Sequence, residues 1–133
     1  MTTPQELHQQ FEACMPLFIA LGDPVRLAII EVLTREAFRQ NQEGHIAFES
    51  CGMNVNEIPC RTSLSRPAIS HHLKILKQAG LVDIRQEGTA NYYYLTLRRP
   101  NQILMELGYR LKDTSRTVTV SGELKEADPN ADQ

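Results

Sequence analysis

A chain of 133 residues with a net charge of −2 has room for one domain plus tails, and it is no uniformly basic polypeptide. Its 41% hydrophobic content suffices for a core, yet no apolar run approaches the roughly 20 residues that cross a bilayer. The N-terminus lacks a signal-peptide pattern, so the expected location is cytoplasmic, where three cysteines are thiols rather than a disulfide framework.

The first helix announces itself with Thr3 as cap, Pro4 at the first helical position and Glu6 three residues after the cap. Leu7, Phe11, Cys14, Met15 and Phe18 give it an apolar stripe, and Pro16 should kink or divide it. Asp23-Pro24 starts a second helix, buried through Val25, Ile29, Val32 and Leu33 and widened by Leu27 and Ile30. The loop 40–53 is long for a helix–helix connection. Within it, His45-Ile46-Ala47-Phe48 reads as a short third strand. Asn56 is expected to cap a third helix that keeps Pro59 in its first turn and ends near Thr62, with Ser63-Leu64 turning the chain.

Helix 65–80 is the stretch the rest of the chain carries. At the helical step of about 100° per residue, Ala68, Ile69, His72, Leu73, Ile75, Leu76 and Ala79 fall on one side. Arg66, Pro67, Ser70, His71, Lys74, Lys77 and Gln78 fall on the other. Ser65 caps its start and Gly80 its end. A short hydroxyl, an imidazole and flanking cations suit base edges and phosphates in a major groove. Leu81 to Gln86 and Asn91 to Leu95, separated by Glu87-Gly88-Thr89-Ala90, read as a β-hairpin. The predicted fold is mainly α with a small antiparallel β-wing, 81–95: a winged helix-turn-helix.

After the wing, Arg99-Pro100 restarts the chain as a helix to about Asp113, with Ile103, Leu104, Leu107 and Leu111 along one face. Gly108 within it is either a tolerated imperfection or a close approach to a partner helix. The domain is thus expected to span 1–113. Residues 114–133 form a polar tail expected to be disordered, in which Thr117-Val118-Thr119-Val120 could add a transient strand.

The charge is unevenly placed. Residues 1–60 carry three Lys/Arg against eight Asp/Glu, whereas 61–99 carry seven (Arg61, Arg66, Lys74, Lys77, Arg85, Arg98, Arg99) against two. The positive charge collects on the helix-and-wing segment, as a DNA-reading face requires.

Leu21-Gly22-Asp23-Pro24-Val25-Arg26-Leu27, Leu64 through Lys74, Ala79-Gly80-Leu81-Val82 and the paired tyrosines of the wing resemble the ArsR/SmtB family of dimeric bacterial repressors. The resemblance runs from about Leu17 to Leu95. It implies a twofold-symmetric double-stranded DNA operator as partner. Candidate DNA contacts are Arg61, Arg66, Pro67, Ser70, His71, Lys74, Lys77, Arg85 and Thr89. The first and last helices would form a homodimer through Leu7, Phe11, Leu104, Leu107 and Leu111. Thr62 and Ser63 stand where relatives carry an apolar residue and glycine. Of the family's two familiar metal sites, one falls on Met53-Asn54-Val55-Asn56-Glu57-Ile58, with asparagines at both cysteine positions. The other falls on Pro100 to Asp113, which has no histidine. Neither is reproduced, so no metal and no cofactor is expected.

Three thiols remain as candidate sensors: Cys14, Cys51 and Cys60. Packing, a redox switch through Cys51 and Cys60, and a soft-metal or arsenite site each fit the sequence. A small inducer acting on these thiols is therefore a possible partner. His72 reads as a core histidine with a satisfied hydrogen bond, and His71 as the base-reading one. His8 and His45 have no recognisable partner. An enzyme pairing Cys60 with His71 or His72 lacks an oxyanion hole or substrate cleft, so no catalytic residue is expected. A winged helix serving only protein contacts is the alternative function.

Overall fold

The structure, a computed structural model, describes residues 1–41, 47–59 and 62–121, with side chains through residue 115. The expectations for His45, Cys60, Arg61 and the tail beyond Ser121 lie outside these. The chain divides into two units, one of Met1–Met15 with residues from Asn101 onward, the other of Pro16–Pro100.

Helix α1 spans Pro4–Leu21. Thr3 and Glu6 close a reciprocal capping box at its start: Thr3 N donates to Glu6 Oε2 at 3.0 Å, and Glu6 N to Thr3 Oγ1 at 3.2 Å. The helix continues through Pro16 rather than dividing there. Its buried side also differs from the expected one. Cys14 of the expected stripe is buried, but its buried neighbours are Leu17 and Ala20 rather than Phe11, Met15 and Phe18, which stay exposed.

In the first unit, α1 meets α4, which spans Arg98–Ser121. Gln10 Nε2 donates to Ile103 O at 3.0 Å, Arg110 Nη1 lies 3.4 Å from Glu6 Oε2, and Thr2 N donates to Asp113. These contacts run the two segments antiparallel. Helix α4 passes its expected end near Asp113, and Thr117–Val120 is helical rather than extended. The sequence places no glycine or proline between Gly108 and Gly122, so nothing stops the helix sooner.

In the second unit, α2 (Pro24–Gln40) carries Ile29, Leu33 and Ala37 into the core. Helix α3 (Arg66–Gln78) adds Ile69, Leu73 and Leu76, each fully buried. Burial of such side chains stabilises by about 1.5–3 kcal/mol each. Strands β2 (Val82–Glu87) and β3 (Ala90–Leu95) form the hairpin. The third strand is β1 (Met53–Asn54), paired antiparallel with β3 through Met53↔Tyr93 and Asn54↔Tyr92, giving the order β1-β3-β2. It is not the expected segment ending at Phe48, for Phe48–Ser50 is a 3₁₀ turn. Met53 is fully buried, which anchors the later position. Gly52, at φ 149°, passes so close to β3 that a Cβ there would meet Tyr92 Cβ and Tyr93 O at 3.2 Å.

The expected third helix differs as well. Residues 55–59 turn without forming an α-helix, and the side-chain hydrogen bond at their start comes from Asn54 rather than Asn56. Asn54 Oδ1 accepts from Asn56 N at 2.9 Å, while Glu57 Oε1 accepts from Asn54 N at 3.1 Å. Asn54 thus closes this turn through its side chain, its N–H and its carbonyl, where a reading from Pro59 expects a helix.

Candidate nucleic-acid interface

Helix α3 is held by its two ends. Ser65 Oγ accepts from Ala68 N at 3.4 Å, and Pro67 sits in the first turn where no N–H is missed. At the other end Leu81 N donates to Leu76 O and Gly80 N to Lys77 O, both at 3.0 Å, with Gly80 at φ 77°. That is a Schellman closure, which turns the chain directly into β2.

With Ile69, Leu73 and Leu76 sealed inside, Arg66, Pro67, Ser70, His71, Lys74, Lys77 and Gln78 are all exposed. The structure therefore brings the expected α3 residues together on one face. None of Arg66, Lys74 and Lys77 has a carboxylate partner among the described residues, so the face presents uncompensated positive charge. Thr89 is exposed at the hairpin tip, beside Gly88 at φ 63°. A cleft of about 610 Å³ lies apart from this face, between α2 and Leu64, with Val25, Ala28 and Val32 on its wall.

Arg85 is not free to join the face. Its Nη1 donates to Glu49 O at 2.7 Å and Cys51 O at 2.8 Å, its Nε to Glu87 at 2.7 Å, and it lies over the Tyr92 ring. It braces the wing against the segment before β1. Cys51 is 3% exposed, with Asn41 Nδ2 and the carbonyls of Ala37 and Ala47 around its sulfur. Cys14 is also buried, near Ile103 O. Leu107, an expected partner contact, is buried within its own chain, while Leu7 is half-buried and Phe11, Leu104 and Leu111 are exposed.

Sequence reasoning missed Arg26. This buried side chain donates from Nε to Ala20 O at 2.7 Å and from Nη2 to Ile19 O at 3.0 Å, satisfying the last carbonyls of α1. Its Nη1 lies 3.2 Å from His72 Nδ1, so His72 is a hydrogen-bonded histidine on the inner side of α3. A signal was available: a cation in the first turn of α2 opposes the helix dipole and must be engaged elsewhere.

Asp23 caps α2, accepting from Val25 N at 2.8 Å and Arg26 N at 3.2 Å. Partial burial pulls its carboxyl upward, but the two N–H bonds and the charge of Arg26 outweigh this and hold it below its ordinary range. Asp113 is lowered too, chiefly by hydrogen bonds from Thr2. A depressed carboxyl contributes stability that is present above its unfolded value and lost as pH falls through the folded one. Asp23→Asn should therefore lower the melting midpoint at neutral pH, and by less at an acid pH that approaches Asp23's lowered folded value. Equal destabilisation at both pH values would refute the charged cap.

The helix with one sealed and one polar, cationic face, followed by a hairpin closed by a short third strand, defines a winged helix-turn-helix protein. Residues 49–83 match the model described as bacterial regulatory protein, arsR family. An uncharacterized HTH-type transcriptional regulator of Methanocaldococcus jannaschii is 36% identical over 96 residues, covering 72% of this chain and 92% of the relative. The transcriptional repressor SdpR of Bacillus subtilis is 32% identical over 79 residues, 59% of this chain and 71% of the relative. An ArsR-like transcriptional regulator from Rhodococcus sp. RHA1 shares the fold at TM-score 0.65 and 21% identity, covering 85% of this chain and 90% of that one. The chain belongs to the arsR family of bacterial transcriptional regulators.

Proposed function

We propose that the chain is a DNA-binding repressor that reads a twofold-symmetric operator as a homodimer, with α3 in the major groove and the hairpin tip against the backbone. The observation that carries this reading is the two-sidedness of α3: three fully buried apolar residues behind, and Arg66, Ser70, His71, Lys74 and Lys77 exposed in front. Ser70 and His71 are the base-reading side chains, Arg66, Lys74, Lys77 and Pro67 flank them, and Thr89 approaches the phosphates from the wing. Similarity to a named repressor supports the direction of control. The two described cysteines enter this reading as packing residues, since a thiol-directed inducer would have to open the fold to reach either.

Operator binding should weaken steeply with salt, by about 0.9 log unit per log of salt for each phosphate contact. Lys74→Ala and Arg66→Ala should each weaken binding to all duplexes alike and reduce the salt slope by about one contact. Ser70→Ala and His71→Ala should instead change which duplexes are preferred. Binding measured by fluorescence anisotropy and left unchanged by all four substitutions would overturn the assignment of α3.

A further inference from the structure

His72 is the one polar side chain on the inner side of α3, and its partner determines its protonation. A guanidinium only donates hydrogen bonds, so the Nδ1 that lies 3.2 Å from Arg26 Nη1 must offer a lone pair. The neutral ring then carries its proton on Nε2. Arg26 cannot shift to suit a different ring, for Ala20 O and Ile19 O hold its Nε and Nη2 at 2.7 and 3.0 Å. One contact thereby joins the end of α1, the start of α2 and the middle of α3. The adjacent residue, His71, stands on the exposed face with its ring edge-on to His72, centroids 5.5 Å apart.

We propose that Arg26 and His72 form a proton-sensitive latch that sets the orientation of α3, with the DNA-binding state requiring a neutral His72. This rests on the reading of α3 as the base-reading helix. A proton added at Nδ1 would set donor against donor and cation against cation. The charged and titratable groups facing His72 among the described residues are Arg26 and Asp23 from α2 and His71 on α3, while α1 contributes backbone carbonyls. Asp23 attracts an imidazolium, but its carboxylate serves the cap of α2, and its Oδ2 lies 3.7 Å from Arg26 Nη1. Arg26 is the group a new proton meets first. The loss of that bond releases α3 from α2 at its midpoint, and two half-sites then no longer present matching helices. Arg26 and His72 are positioning residues, and the expected effect is on affinity rather than on base preference.

The test uses a duplex selected from a random library by the wild-type chain, with binding measured for wild type, His72→Gln and His72→Leu. Glutamine can accept from Arg26 and does not titrate; leucine fills the space and accepts nothing. Between about pH 8 and about pH 5.5, where histidine gains its proton, wild type should lose roughly tenfold more affinity than His72→Gln. His72→Leu should bind more weakly than wild type at the higher pH. His71 is common to all three proteins, so the comparison isolates the side chain at position 72. Identical profiles for wild type and His72→Gln, or full affinity for His72→Leu at the higher pH, would overturn the latch. Nitrogen-15 NMR of wild type supplies a readout independent of DNA: the Nε2–H tautomer is expected, and an Nδ1–H tautomer or a charged ring at neutral pH overturns the contact. A chain that selects no duplex fails the DNA-binding reading and the proposal with it, whereas a failed pH comparison on a selected duplex overturns the latch alone.

Discussion

Replacing Arg26 with methionine should lower the melting midpoint by about 10 °C, although the substitution touches neither the exposed face of α3 nor the wing. Methionine fills the space of the stem but donates nothing, so Ile19 O and Ala20 O lose their side-chain donor. The stranded, buried Ala20 O costs about 1–3 kcal/mol and the part-buried Ile19 O less, and the guanidinium's favourable place at the C-terminus of α1 is lost as well. Arg26→Lys should recover only part, because a single ammonium cannot serve several acceptors in the geometry of a planar fork. Another ion pair on the same helix sets the scale. Arg35 and Glu31 approach to 2.7 Å, closer than most of the Arg26 contacts, yet their side chains are 78% and 60% exposed. Such a pair is worth about 0.5 kcal/mol, so Glu31→Ala should barely move the midpoint. Burial, not proximity, separates the two. Melting followed by circular dichroism at fixed protomer concentration checks both, since association itself shifts the midpoint. A shift of less than about 2 °C for Arg26→Met would refute the capping role.

The parts of this chain that were legible in the sequence are those whose signals are local. Helix α3 declared both its faces through period alone, and its caps through Ser65 and Gly80. The hairpin declared itself through β-rich runs around Gly88. What escaped depended on contacts between distant residues. Met53 becomes a strand only because β3 offers it an edge, and Phe48, more apolar in its surroundings, does not receive that edge. Arg85 looked like a phosphate contact because a cation on a wing has that use. Only the fold shows the carbonyls of Glu49 and Cys51 already bound to it. Arg26 lay within a motif read for its cap and its proline, and its role appears once α1, α2 and α3 are brought together. The buried side of α1 was misjudged for a different reason. Apolar periodicity marks the residues that avoid water, whatever covers them, and in the proposed dimer some of them meet the second copy.

Those residues lead to the expected quaternary structure. The first unit consists of the start of α1 and helix α4, and two helices cannot enclose a core between them. Cys14 and Leu107 are buried, yet Phe11, Met15, Leu104, Met105, Tyr109 and Leu111 remain between 39% and 66% exposed. Leu104, Gly108 and Leu111 follow one another at helical spacing, and a Cβ added at Gly108 would meet nothing of its own chain within 4 Å. A glycine on this stripe leaves room for the close approach of another helix. The wild-type chain should therefore sediment as a dimer at micromolar concentration. Leu104→Glu combined with Leu111→Glu should give a monomer, because burying unpaired carboxylates costs several kcal/mol in a desolvated seam. Operator affinity should then fall by about a thousandfold, since each reading helix binds alone without the effective concentration its partner supplied. Gly108→Ala separates packing from helix propensity. In an isolated helix alanine would stabilise by about 1 kcal/mol, whereas in a tight seam its methyl should weaken association. Sedimentation equilibrium on the three proteins decides the matter: a monomeric wild type refutes the dimer, and an undiminished dimer in Gly108→Ala places the seam away from that residue.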